Sequence, residues 1–599
     1  MNRAILKSGR LLAPMALLIG LAATANAAVP GISGTAFNLM AEPAFINQPD
    51  GESIYSWGYG CSSTTGNTFV PAAIQHPFCN TMQVPGPTLV VTEGQTITVT
   101  LTNKLPAPVG NTSILFAGFN VTTSCGAATS PSGVQGLLTC EAVPGGTVTY
   151  TFTASAPGTH AYYSGTQGDL QIEMGLYGAV VVLPANVPAN CDAGYHALNS
   201  TSKTTWGEPD FRLAHAAYDH PGTCYDREYL FQWAEMDPRI HKQALAQVTA
   251  LAGCSAGAAG CSLDVQTEPY HPAYFLINGR SMPDLMDPNF AGEYPHQPYN
   301  GNPHTHPGEL MLIRTIGQGR WQHPYHEHAN HVRILARDAN LVLTSTPATG
   351  CPTTATAPGA IASAQGCVAY SSGLSGDTPV VAPGLAGLLM FNTDTTPGES
   401  FDGIFYFTGR GLNWDPYGHR PNPNAPLPDS DPNASLPCTP DVNGYNSGAP
   451  TALNFMEWCQ DHNKPVQANP FGDVPSGGPV TLPDPNVFTN GAWYGGSPYL
   501  GPDASLRGNA PACVGSPYGI ANPTTPSGGV GTTTPAVATA NCTNLNPANL
   551  QLNPANERGW AFMWHSHNER EITTNNVFPG GMLMMLLVDT REFVIDENL

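Results

Sequence analysis

The chain has 599 residues, with 43 Asp and Glu against 21 Lys and Arg and a formal net charge of −22. So acidic a surface repels phosphate backbones and anionic lipid, which argues against nucleic acid as a partner and leaves cations as the ions it attracts. With 64 Gly, 58 Pro and no long apolar pattern of period 3.6, the composition points away from helices and toward short strands joined by turns, an all-β fold.

Residues 1–27 read as an export signal. Arg3, Lys7 and Arg10 precede the apolar run from Leu11 to Leu21, and Ala25-Asn26-Ala27 supplies small residues for cleavage before Ala28. No later segment offers the roughly 20 uninterrupted apolar residues of a membrane helix. The expectation is an exported protein without a membrane span, periplasmic or extracellular.

The first structural unit is expected over 28–190. From Thr88 to Leu101 two strand-like stretches are broken at Glu93-Gly94, and in the second Ile97, Val99 and Leu101 alternate with threonines, giving one buried and one wet face. Further strands are expected at Val148 to Ala154 and Leu176 to Leu183. Turn residues from Pro184 onward mark a boundary, and a second unit is expected over 205–599, with strands at Glu228 to Trp233, Tyr274 to Ile277, Glu309 to Ile316, His331 to Ala336, Phe401 to Phe407, Gly559 to Trp564 and Met582 to Val588. Spaced in this way the strands suggest packed β-sandwiches, more than one in a chain of this length. Two stretches rich in turn residues, about 340–396 and 416–554, read as insertions in the second unit, although a third small domain built from them is also compatible with the sequence.

Fourteen cysteines stand in successive close couples: Cys61 and Cys79, Cys125 and Cys140, Cys191 and Cys224, Cys254 and Cys261, Cys351 and Cys367, Cys438 and Cys459, Cys513 and Cys542. An even count in an exported chain argues for disulfides, and pairing within each couple, clamping loops and insertions, is the simplest connectivity.

Chemistry concentrates in His326-Glu327-His328 and His565-Ser566-His567. Residues two apart on a strand point to the same side, so each pair can aim two imidazoles at one point. Four neutral imidazoles make a first-row metal site, with copper and zinc the leading candidates. Tyr325, Glu327, His331, Asn568, Glu569 and Glu571 could orient the rings, Glu327 and Glu569 being expected at the surface. A third pair, His304 and His306, lies in a Pro-rich loop.

These residues resemble those of the multicopper oxidases, whose repeated unit is the cupredoxin, a Greek-key β-sandwich. Val84-Pro85-Gly86-Pro87-Thr88 with Glu93-Gly94-Gln95 and Leu101-Thr102-Asn103 is similar to the opening of the family's first domain, and Pro157 to Ser164 with Met174 to Ala179 to its end. Leu276 to Arg280, Pro307 to Arg314 and Pro397 to Asp402 are similar to second-domain signatures. The run His323 to His328, and Trp564 to His567 with Gly580-Gly581-Met582, resemble the last two copper motifs. The resemblance implies tandem cupredoxin-like sandwiches, copper as cofactor, and a closed homotrimer.

The family holds three coppers with eight histidines, four of which fall on His326, His328, His565 and His567. The other four are absent: Leu115-Phe116-Ala117-Gly118 and Tyr163-Ser164-Gly165 stand in their places, and His160 is out of register. At the electron-collecting copper His323 is retained as a metal ligand, but Ser566 replaces the cysteine and Glu571 the second histidine, with Met582 as the axial residue. A serine hydroxyl cannot replace a thiolate, so no blue copper is expected. Three readings follow: an oxidoreductase with a reduced mono- or dinuclear copper centre and small-molecule or metal-ion substrates, a non-catalytic copper-sequestering protein, or a structural assembly subunit.

Overall fold

Alternation of apolar side chains with threonine sets the first sheet. Thr96–Asn103 pairs antiparallel with Thr147–Thr153, and Ile97, Val99 and Leu101 face Phe152, Tyr150 and Val148 on the inner side while the threonines face outward. Gly94, at φ 80°, makes the turn from the preceding strand Leu89–Thr92, in a conformation that glycine adopts without strain. The computed structural model describes residues 28–407 apart from 75–76, 127–131, 193–194 and 344–383, and also 438–440, 445–450, 455–459, 497–500, 557–589, 595 and 597.

Two sheets close the first sandwich. One runs in the order Ser53–Ser63, Ala36–Asn47, Thr96–Asn103, Thr147–Thr153, Thr122–Ser124. The other runs Thr68–Val70, Gly31–Ser33, Leu89–Thr92, Tyr177–Leu183, Gly158–Tyr163, Leu115–Phe116. Trp57, Tyr59, Tyr150 and Tyr162 fill the space between them. The second sandwich is built in the same way. Its outer sheet orders Tyr274–Ile277, Arg227–Met236, Leu310–Gly317, Ser400–Tyr406, Val332–Arg337 and Asn340–Leu341, and its other sheet orders His304–Thr305, Leu583–Asp589, Glu557–Ser566, His323–Glu327 and Asn392–Thr395. Trp233, Tyr325, Trp564 and Phe405 form the core between these sheets. The architecture is all-β with tandem sandwiches, and each expected strand with described residues lies within a few residues of an observed one.

Five of the expected disulfides are present: Cys61–Cys79, Cys125–Cys140, Cys191–Cys224, Cys254–Cys261 and Cys438–Cys459. The couples Cys351 and Cys367, Cys513 and Cys542, the export signal and most of both insertions lie outside the described residues. Among the described residues no helix is long and apolar enough to cross a membrane.

Sequence reading missed two helices, Tyr195–Trp206 and Pro238–Ala250. The second starts as helix physics requires: Asp237 accepts from the Arg239 amide and Pro238 occupies the first turn. Its buried face is only Ile240, His241 and Ala244, too small and too polar to register as apolar periodicity.

The sandwiches meet through buried polar contacts. Asp402 accepts from the Thr159 and Tyr218 hydroxyls at 2.6 and 2.5 Å, and Ser400 donates to the Thr159 carbonyl at 2.5 Å. Gly279, at φ 80°, lies against the Val84 carbonyl so closely that a Cβ there would stand 2.0 Å from the oxygen. This contact holds the second-domain segment Leu276 to Arg280 against the first sandwich.

Candidate metal centre

Strand register brings the two histidine pairs together. His323–Glu327 lies antiparallel beside Glu557–Ser566, with His326 directly opposite His565. Since alternate residues share a face, His326 and His328 emerge on the side that carries His565 and His567. His328 stands just beyond the strand end, its amide bound to the Met563 carbonyl and its carbonyl accepting from the Trp564 indole at 3.0 Å. Ala329, at φ 80°, then turns the chain away.

The rings converge. Centroids of His326, His328 and His565 are 4.8, 5.3 and 5.3 Å apart, and His567 lies 4.9 Å from His326 and 5.7 Å from His565. Ligand nitrogens of His326, His328 and His565 all lie within 4.8 Å of one another. His565 Nε2 and His328 Nε2 are 3.3 Å apart. Metal–nitrogen bonds of about 2.0–2.1 Å set tetrahedral ligand nitrogens about 3.3 Å apart, so this pair already has ligand spacing.

Tautomers and charge fit the same role. His326 Nδ1 is 2.6 Å from the Phe391 carbonyl and His565 Nδ1 is 2.6 Å from the Ser566 carbonyl. Each Nδ1–H therefore donates to a carbonyl and leaves Nε2 with its lone pair for a metal. Burial, reinforced by neighbouring imidazoles, lowers the pKa of His326 to about 4 and of His328 to about 3, and burial lowers that of His565. All three rings are neutral at pH 7, the ligating form. His567 is exposed and closes the outer side of the group.

His323 is placed elsewhere. On the opposite face of its strand and fully buried, it has Nδ1 2.9 Å from Glu571 Oε2 and Nε2 2.9 Å from Glu235 Oε2. Ser566 Oγ donates to the same Glu571 oxygen at 2.5 Å, and Met582 donates its amide to the Glu571 carbonyl at 2.8 Å. The four positions of the electron-collecting site thus gather, but around an ion pair. Burial pulls the His323 pKa down, yet the hydrogen bonds and charges of Glu235 and Glu571 carry it to about 9.

A histidine whose folded pKa exceeds its unfolded value of about 6.5 adds stability that is fully present below that pH and is lost as pH rises through about 9. The shift corresponds to about 3 kcal/mol. Denaturation of the wild type compared with His323→Gln should therefore show a stability difference that shrinks between pH 6.5 and 9. A difference independent of pH would mean that His323 is neutral in the fold.

Glu327 corrects an expectation. It is not at the surface but fully buried, with neither carboxyl oxygen hydrogen-bonded among the described residues, and burial pushes its pKa well above the usual range. The alternation that sends His326 and His328 outward sends Tyr325 and Glu327 inward, where Tyr325 packs on Trp233 and Trp564 at 4.8 and 6.2 Å. Glu569 is exposed as expected, and Asn568 donates its side-chain amide to Glu571 at 2.8 Å.

His304 and His306 do not join the group: His304 Nδ1 meets Asp589 at 2.8 Å and His306 Nε2 meets Glu208 at 2.7 Å. His160 is buried against Phe119, 4.4 Å between ring centroids. Two contributors escaped the sequence reading. Phe391 acts through a backbone carbonyl, which leaves no sequence signal, whereas Glu235, a lone acid within the buried strand Arg227–Met236, could have been noticed.

A family profile described as multicopper oxidase matches residues 72–187. The chain is 33% identical over 141 residues to laccase-3 of Botryotinia fuckeliana, 23% of this chain and 29% of that protein. It is 39% identical over 100 residues to L-ascorbate oxidase of Brassica rapa subsp. pekinensis, 17% of this chain and 16% of that protein. The matched part therefore spans less than a third of either curated relative. Among solved structures, a blue copper oxidase from Nitrosomonas europaea aligns over 92% of this chain and 85% of its own, with 14% identity and a TM-score of 0.37. Residues 72–187 match the multicopper oxidase profile, the chain is similar over part of its length to laccases and an ascorbate oxidase, and this similarity implies copper as the metal, with a histidine group that could bind one at His326, His328 and His565.

Proposed function

We propose that the protein is an exported copper-binding relative of the multicopper oxidases, acting as an oxidoreductase at a mono- or dinuclear centre held by His326, His328, His565 and His567. The reading rests on one observation above the others: two imidazole nitrogens 3.3 Å apart, each on a ring kept neutral, with the partner ring His326 fixed in the Nε2-ligating tautomer. Copper bound there supplies one-electron redox chemistry and Lewis acidity. The protein's own part is to present lone pairs without competing protons and to keep the ring planes fixed through carbonyl hydrogen bonds. His567, on the exposed side, leaves an approach for a small molecule or a metal ion. Export to the periplasm or beyond, and association as a homotrimer, complete the proposal.

A second reading, a protein that holds copper without turnover, is favoured by the ion pair of His323 and Glu571 at the electron-collecting position. Metal analysis of the purified chain followed by oxidation assays with phenols and with cuprous, ferrous and manganous ions separates the two. Bound copper with turnover supports the oxidoreductase, and bound copper without it selects the second reading. A chain that stays empty in excess copper rules out both.

A further inference from the structure

We infer that Glu571 is a positioning residue for the metal-binding histidines: its buried carboxylate, held by His323, clamps Ser566 and Asn568 and thereby fixes the segment that presents His565 and His567. This rests on the copper-centre reading above. The clamp is made of several bonds. Ser566 Oγ donates to Oε2 at 2.5 Å and the Asn568 side chain to Oε1 at 2.8 Å, so one carboxylate grips the residue between the two histidines and the residue after them. The Asn568 amide donates back to Ser566 Oγ at 3.2 Å, and the Glu571 amide to the Asn568 carbonyl at 2.8 Å, which closes the turn on itself.

The carboxylate cannot drift, because His323 Nδ1 lies 2.9 Å from Oε2 and the far side of that ring is held by Glu235. Glu235 is in turn fixed by the amides of Arg320 and Trp321 at 2.7 and 2.9 Å and by the Tyr270 hydroxyl at 3.1 Å. His565 needs this support. Its ring binds the carbonyl of Ser566, so any twist of Ser566 rotates the ring that should point Nε2 at His328. His567, exposed, has its amide on the Pro324 carbonyl at 2.8 Å, and beyond it the turn through Asn568 is tied down by Glu571. A charge-assisted clamp of this kind is stronger than neutral hydrogen bonds and suits a pair of ligands at the end of a strand.

The test uses the full chain titrated with cupric ion, reading the dissociation constant and the electron paramagnetic resonance spectrum of the bound ion. Glu571→Gln keeps the size of the side chain but not its charge. Ser566→Ala deletes a single hydroxyl, and it keeps the experiment decisive if the first variant fails to fold. Loss of such outer partners typically weakens metal binding about 10–100-fold, and both variants should fall in that range with altered copper hyperfine splitting. The double variant His565→Ala/His567→Ala is titrated beside them. Wild-type affinity and spectrum in the folded clamp variants, with binding lost in the histidine variant, would overturn the inference alone. Undiminished binding in the histidine variant would overturn the copper centre and the inference together.

Discussion

Replacing His565 and His567 together by alanine should strip copper from the protein while leaving it folded. Two of four imidazoles disappear, one of them in the trio whose nitrogens lie within 4.8 Å of one another. A structural four-ligand site is worth about 10–16 kcal/mol, so losing half of its donors should cost about 5 kcal/mol, or about three to four powers of ten in affinity. The fold should tolerate the change. His567 is exposed, and among the described residues the ring of His565 is hydrogen-bonded to the adjacent carbonyl and to another histidine, so no other buried partner is orphaned there. Copper per chain after dialysis, with the thermal midpoint as control, reads the outcome.

His304→Ala/His306→Ala provides the contrast. Those rings satisfy the buried carboxyl groups of Asp589 and Glu208, the latter also paired with Arg227, so their removal should lower the midpoint and spare the copper. Full copper retention in the His565 and His567 variant would refute the assignment, because among the described residues only His326 and His328 would then remain at this point, half of the donors.

The contrast between these pairs shows how far the sequence could be read. All three are His-x-His, and strand alternation licensed two of them as two-pronged ligands, the third being expected in a Pro-rich loop. Only register decides: His326 stands opposite His565 because the two strands that carry them are neighbours, and neighbourhood in a sheet is a long-range fact that a local pattern does not contain. Strands such as Thr96–Asn103 were legible because alternation is local. The helix Pro238–Ala250 was not, because its buried face is three residues wide. Glu327 shows the opposite failure. The alternation that exposes its flanking histidines also drives this acid inward, and the general expectation that acids stay in water outweighed a geometry already in hand. The substitutions at Ser566 and Glu571 were legible as losses from a copper site, but not as a gain. That Glu235 would come from another strand to complete an ion pair on His323 required the fold.

That ion pair can be turned back into a metal site. The double variant Ser566→Cys/Glu571→His should bind a copper with the intense visible absorption of a thiolate centre, which the wild type should lack. Such centres need two imidazoles and a thiolate in a trigonal plane with a weak axial methionine. His323 is in place with Nδ1 turned toward residue 571, the side chains of residues 566 and 571 already touch, and the backbone of Met582 is joined to both by hydrogen bonds of 2.9 and 2.8 Å. Glu235 would remain on His323 Nε2, where a carboxylate raises ligand basicity and fixes the tautomer.

Ser566→Cys alone should stay colourless, because Glu571 continues to occupy Nδ1 of His323. Glu571→His alone should also stay colourless, because no thiolate is present. The order of the three spectra is the measurement. Colour in the double variant and in neither single one would show that the carboxylate, as much as the missing sulfur, keeps copper from this position. A colourless double variant that nonetheless takes up a second copper would show that the four side chains do not converge as their register requires.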